Sequence, residues 1–122
     1  DERLVLIPLG EPAKFDYLTP PEISATFPSW CCDSRRILFS KSTGNNSYDI
    51  CELDTVSRVI KTLLVTPDVS ETRPVEDKSG RYIFFESQDS SGSCIAFLDR
   101  KTRDVKKLEL PYPAKEPFWY EK

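Results

Sequence analysis

The chain repeats itself. Residues 27–65, FPSWCCDSRRILFSKSTGNNSYDICELDTVSRVIKTLLV, are matched in character by residues 73–110, RPVEDKSGRYIFFESQDSSGSCIAFLDRKTRDVKKLEL. Pro28 falls over Pro74, and Asp33 lies near Asp77. Arg36-Ile37-Leu38-Phe39-Ser40 corresponds to Tyr82-Ile83-Phe84-Phe85-Glu86, Gly44 to Gly92, and Ile50 through Asp54 to Ile95 through Asp99. The spacing is 46 from Pro28 to Pro74 and 43 from Pro74 to Pro117. A unit repeated at such a period cannot bury its apolar face alone and must stack on its neighbour, which restricts the fold more than composition can.

Each unit reads as four short strands. The second, Arg81 through Glu86 in the later copy, is a compact run of aromatic and β-branched residues suited to burial on both faces. The third follows Gly- and Ser-containing hairpin turns, STGNNS or DSSGS. The fourth follows the polar turns DTVSR or DRKTR. No helical period extends over 11 residues or more, so essentially no helix is expected. Residues 3–19 read as strands three and four of an earlier unit, with LGEPA as their turn, and residues 115–122 repeat the opening of a unit. The expected division is a half blade at 3–19, blades at 26–66 and 72–110, and the first strand of a further blade at 115–122. Four strands per unit at this period describe an all-β fold, a β-propeller fragment of four-stranded antiparallel blades. A ring needs about four to eight blades, so an incomplete ring is expected here. The missing part would come from the remaining blades of a parent chain or from a second copy.

The motif PSWCCDSRRILFS…STGNNSYDICELD resembles the TolB-like family of WD-repeat-like propellers. Its blade opens with Pro-x-Trp-Ser-Pro-Asp-Gly, continues through a basic residue and an Ile-x-Phe strand, and then has Gly-Asn and an Ile-Tyr strand ending in Asp. Pro28, Trp30, Asp33, Ile37, Phe39, Gly44, Asn45, Ile50 and Asp54 match it. In the second unit Pro74, Asp77, Gly80, Ile83, Phe85, Gly92, Ile95 and Asp99 match, with Val75 in place of the tryptophan. The resemblance implies a non-catalytic protein-interaction or scaffold module. An alternative is the substrate-gating propeller of a prolyl-oligopeptidase-type serine peptidase whose catalytic domain lies outside these residues. It also implies a periplasmic or other extracytoplasmic location, although four cysteines without evident pairing suit a reducing compartment equally well.

Composition narrows the chemistry. The chain has no histidine, which removes Ser-His and Cys-His dyads and most catalytic zinc sites. No G-x-S-x-G or P-loop motif is present. Seventeen basic against twenty acidic residues argue against a nucleic-acid partner. No apolar run approaches the roughly 20 residues of a membrane span. The chain opens on Asp1 and contains no methionine, so a processed or excised chain is expected. No cofactor, metal site or catalytic residue is expected.

Cys31 and Cys32 occupy the Ser-Pro positions of the family's turn and read as small turn residues. The other readings are a thiol activated by Arg35 and Arg36, a disulfide to Cys51 or Cys94, and a zinc site, for which the spacing is poor. Asp33 is expected to cap the turn. Carboxylates gather at Asp49, Glu52 and Asp54 and at Glu76, Asp77 and Asp89, either as solvated turns or as calcium or glycosidase ligands. The basic stretch Arg100 to Lys107 reads as a solvated turn, the other reading being a site for an anion or an acidic partner. Thr26, Arg73 and Glu116, near the prolines of the first strands, are the expected channel-lining residues. Phe118, Trp119 and Tyr120 form an apolar edge expected to be covered, by this domain or by another chain.

Overall fold

The computed structural model describes residues 2–44 and 46–108. Its strands are β1 (Val5–Leu6), β2 (Asp16–Tyr17), β3 (Ala25–Trp30), β4 (Arg36–Gly44), β5 (Ser47–Asp54), β6 (Ile60–Leu64), β7 (Ser70–Glu76), β8 (Tyr82–Asp89), β9 (Gly92–Asp99) and β10 (Val105–Lys107). β1 and β2 form a two-stranded ribbon, while β3 to β6 and β7 to β10 form two four-stranded sheets with neighbours in chain order. Every pairing is antiparallel. Among the described residues the only helical segment is a single 3-10 turn at Pro12–Lys14, begun by a proline that pre-sets φ. The all-β propeller architecture read from the repeat is therefore the one observed, as an open arrangement of blades.

Alternation along β4 explains how the sheets stack. Ile37 and Phe39 point into a core with Leu4, Leu18, Ala25, Cys51 and Leu53, which joins the ribbon to the first sheet. Leu38, one residue out of phase, points the other way into a core with Ile50, Ile83, Phe85, Ala96 and Leu98, which joins the two sheets. A strand flanked on both faces must be apolar at successive positions, and Leu38 and Phe39 are both fully buried. Burying such a side chain contributes about 1.5–3 kcal/mol.

The turns show the repeat at atomic level and refine its alignment. Cys31 N–H donates to Arg36 O at 2.8 Å, and Asp77 N–H donates to Tyr82 O at 2.9 Å, so Cys31 and Asp77 are equivalent. Asp33 is then the counterpart of Ser79 rather than of Asp77. Asp33 Oδ1 accepts from Arg35 N–H at 3.0 Å and Arg36 N–H at 3.1 Å. Ser79 Oγ accepts from Arg81 N–H at 3.2 Å in the same place. Trp30 pairs with Ile37 and Glu76 with Ile83, so Glu76, and not Val75, stands where the first unit has tryptophan. The shared proline-plus-bulky pattern misleads by one residue, because the side-chain period of a strand is two. Ser34 takes a left-handed φ of 58° where the second unit has Gly80 at 75°.

Candidate functional site

Each first strand carries the same irregularity. The register of β3 on β4 slips between Thr26 and Ser29, and that of β7 on β8 slips between Thr72 and Val75. The extra residues, Phe27 at φ 53° and Arg73 at φ 56°, are left-handed β-bulges next to a proline. Thr26 therefore corresponds to Thr72, and Arg73 corresponds to Phe27. The two bulge side chains meet: the Arg73 guanidinium lies 4.1 Å from the centre of the Phe27 ring and 3.3 Å from Glu86 Oε2. Two hydroxyls bind the neighbouring backbone here. Ser40 Oγ accepts from Arg73 N–H at 3.2 Å, and Ser29 Oγ donates to Pro74 O at 2.5 Å. Glu116, Phe118, Trp119 and Tyr120 lie outside the described residues.

At the opposite end of the seam, the charges neutralise one another. Arg100 reaches back from the β9–β10 turn to Glu52 on β5 at 2.7 Å and to Glu76 on β7 at 2.6 Å. Its side chain is 16% exposed, so this part of the basic stretch is not a solvated turn. The reason is Glu76, which the tryptophan-like alignment had hidden. Arg36 adds contacts to Glu52 at 3.3 Å and to Asp33 at 2.7 Å. Two backbone N–H donors and the Arg36 guanidinium hold the Asp33 carboxyl down at about 2. Glu76 Oε1 accepts from Cys32 N–H at 3.0 Å.

The cysteines are not activated by these arginines. Burial, reinforced by Glu76, pushes the Cys31 thiol up to about 12. A hydrogen bond to Glu76 also raises the exposed Cys32 thiol. All four cysteines are free, and Cys51 belongs to the core with its thiol 3.7 Å from Thr62 Oγ1. Asp54 and Asp99 close equivalent hairpins, each accepting backbone N–H groups and an arginine, Arg35 and Arg81 respectively. Asp89 caps its own hairpin, accepting from Ser91 N–H at 2.8 Å and Ser91 Oγ at 2.6 Å. Among the described residues no three His, Cys, Asp or Glu side chains gather as a metal set.

One buried acid was not anticipated. Glu71 on β7 is 1% exposed and its Oε1 has no hydrogen-bond partner among the described residues. Burial, with a smaller push from the buried Asp49 and against a hydrogen bond from Thr66, lifts it to about 7. In sequence it stands in a polar run, S-E-T-R-P-V-E, where nothing marks one acid as enclosed.

The far side of the first sheet is open. A groove of about 650 Å³ runs beside β1 and across β3, between Leu6, Ile7 and Leu9 on one wall and Pro28, Trp30 and Ile37 on the other. Ile7 is 57%, Leu9 100% and Trp30 51% exposed. β1 is hydrogen-bonded to a strand on one side only among the described residues.

No protein-family model matches the chain, and no curated protein matches its sequence. Solved structures do match. A structure assigned as TolB from Agrobacterium tumefaciens aligns with a TM-score of 0.66 at 18% identity, over 76% of this chain and 36% of its own length. TolB from Acinetobacter baumannii aligns with a TM-score of 0.70 at 16% identity, over 82% of this chain and 25% of its own. The tricorn protease aligns with a TM-score of 0.55 at 17% identity, over 80% of this chain and 9% of its own. This chain thus spans well under half of each. At these identities the correspondence is one of architecture, and in architecture the chain is a segment of a TolB-like β-propeller.

Proposed function

We propose that the chain serves as a non-catalytic protein-interaction or scaffold module within a TolB-like propeller. The observation that carries this reading is where its chemistry lies. The buried arginine and carboxylates of the seam are paired in holding the sheets together, while the groove at Ile7, Leu9 and Trp30 leaves large apolar side chains exposed. Rigid blades present loops and edges to a protein partner, and the first strands, with Thr26, Arg73 and Glu116, supply the wall of a central channel. Phe118, Trp119 and Tyr120 supply a further contact edge. No helix among the described residues is long and apolar enough to cross a membrane.

The fold shared with the tricorn protease favours a second reading, a propeller that gates access to a peptidase domain. The two separate in one experiment. The protein encoded by the complete reading frame is treated with a fluorophosphonate probe of serine nucleophiles and assayed against peptides. The module reading expects no labelling and no turnover. Labelling of a residue outside 1–122, with peptide hydrolysis, replaces it with the gating reading.

A further inference from the structure

We infer that the groove beside β1 is the seat of a two-stranded β-hairpin, the first and second strands of a preceding blade, and that this hairpin presents two hydroxyls and one large aliphatic side chain. The inference starts from the 46-residue offset that relates β3 and β4 to β7 and β8, and that also brings β1 and β2 into line with β5 and β6. Subtracting it once more places Leu4 at the position of Ile50 and Leu18 at that of Leu64. The pairings agree: Ile50 stands opposite Leu64, and Leu18 N–H donates to Leu4 O at 2.8 Å. Leu4 and Leu18 also pack on the first sheet as Ile50 and Leu64 pack on the second. The ribbon β1-β2 is therefore the outer half of a blade, and the groove lies where the inner half belongs.

The existing seam specifies what the inner half must offer. Between the two complete sheets, Leu38 fills the space over Ile83 and Phe85. Ser40 Oγ receives Arg73 N–H, and Ser29 Oγ binds Pro74 O. The counterparts one repeat earlier are Ile37 and Phe39, Phe27 N–H and Pro28 O, and Ile37 and Pro28 line the groove. The occupant thus needs an aliphatic residue over Ile37, a hydroxyl acceptor for Phe27 N–H and a hydroxyl donor for Pro28 O. The edge of β1 that pairs with no strand among the described residues receives the occupant's second strand by backbone pairing. This deepens the interaction-module reading and rests on it only in treating the edge as a contact surface.

The same offset supplies the test. Residue 47 corresponds to residue 1, so a copy of residues 24–46 joined directly before Asp1 restores the connection of a four-stranded blade. In the copy, outward-facing Ile37 and Phe39 become Thr to keep the new face soluble. Trp30 of the copy and Trp119 become Phe, which leaves the native Trp30 as the sole tryptophan. The expected result is a severalfold fall in acrylamide quenching of Trp30, with a higher Tm than the unextended chain. Ser29→Ala with Ser40→Ala inside the copy should reverse much of the Tm gain. Unchanged quenching overturns the inference, and so does a gain indifferent to the two serines. Quenching reads neither peptidase activity nor partner binding, so failure of the module reading is seen separately.

Discussion

Arg100 offers the sharpest test of how the sheets are held together. Its guanidinium sits between Glu52 and Glu76, at 2.7 Å and 2.6 Å, and the two carboxylate side chains are 8% and 0% exposed. Arg100→Ala removes the cation and leaves two buried carboxylates without it, Glu52 keeping a contact to Arg36 at 3.3 Å. Breaking a buried pair from one side costs about 3–5 kcal/mol, because the remaining charge loses its compensation without regaining water. Against a domain stability of about 5–15 kcal/mol, that is enough to shift a urea midpoint far or to unfold the chain. The measurement is equilibrium urea denaturation followed by circular dichroism. The companion variant keeps the test informative if the single change does not fold: Arg100→Met with Glu52→Gln and Glu76→Gln removes all three charges and should recover most of the loss. If Arg100→Ala costs less than about 1 kcal/mol, the size of an exposed ion pair, the seam is not held by this cluster.

Three further outcomes follow from groups in the turns and first strands. Glu71, lifted from 4.5 to about 7 in the folded chain, binds its proton more tightly folded than unfolded. Its stabilising effect is thus fully present below about pH 4.5 and lost as pH rises through about 7, so Glu71→Gln should flatten the fall in stability between those values and raise stability at pH 8 by about 3 kcal/mol, read as a higher Tm. Ser34→Gly should stabilise by about 1 kcal/mol in thermal denaturation, because glycine removes the left-handed penalty that Gly80 already avoids. Maleimide labelling of the native protein followed by peptide mapping should modify exposed Cys32 before buried Cys31, and Cys31→Ser should leave partner binding intact.

The repeat carried the architecture into plain view because its signals are local. Ile37-Leu38-Phe39 and Ile83-Phe84-Phe85 each declare a strand buried on both faces, and the Gly and Ser turns declare hairpins. The register of Ile50 through Asp54 against Ile95 through Asp99 followed directly. Contacts across the seam were not legible in the same way. Arg100 looked like one of several basic residues in a turn, and only its position opposite Glu52 and Glu76 distinguishes it from Lys101 and Arg103. Val75 stands in the tryptophan's place by sequence pattern, but Glu76 does in the sheet, and one residue along a strand reverses the face presented. Glu71 is enclosed by residues distant in sequence, and no periodicity in its own strand announces that. Asp33 was readable because an aspartate in a tight turn caps neighbouring N–H groups wherever it occurs.

The bulge before each proline has an evolutionary consequence. An ordinary strand position is constrained by its pleat: change its polarity and one face of the sheet suffers. Phe27 and Arg73 stand outside that alternation, since the register shifts at each bulge while the flanking pairs Thr26 with Ser40 and Thr72 with Glu86 are kept. One repeat has placed an aromatic ring there and the next a guanidinium, with the same backbone around both. Each blade thus holds one position whose side chain is matched to the neighbouring blade rather than to the pleat of its own sheet. Because neighbouring bulges touch, a change in one blade is felt first by the residue stacked on it in the next.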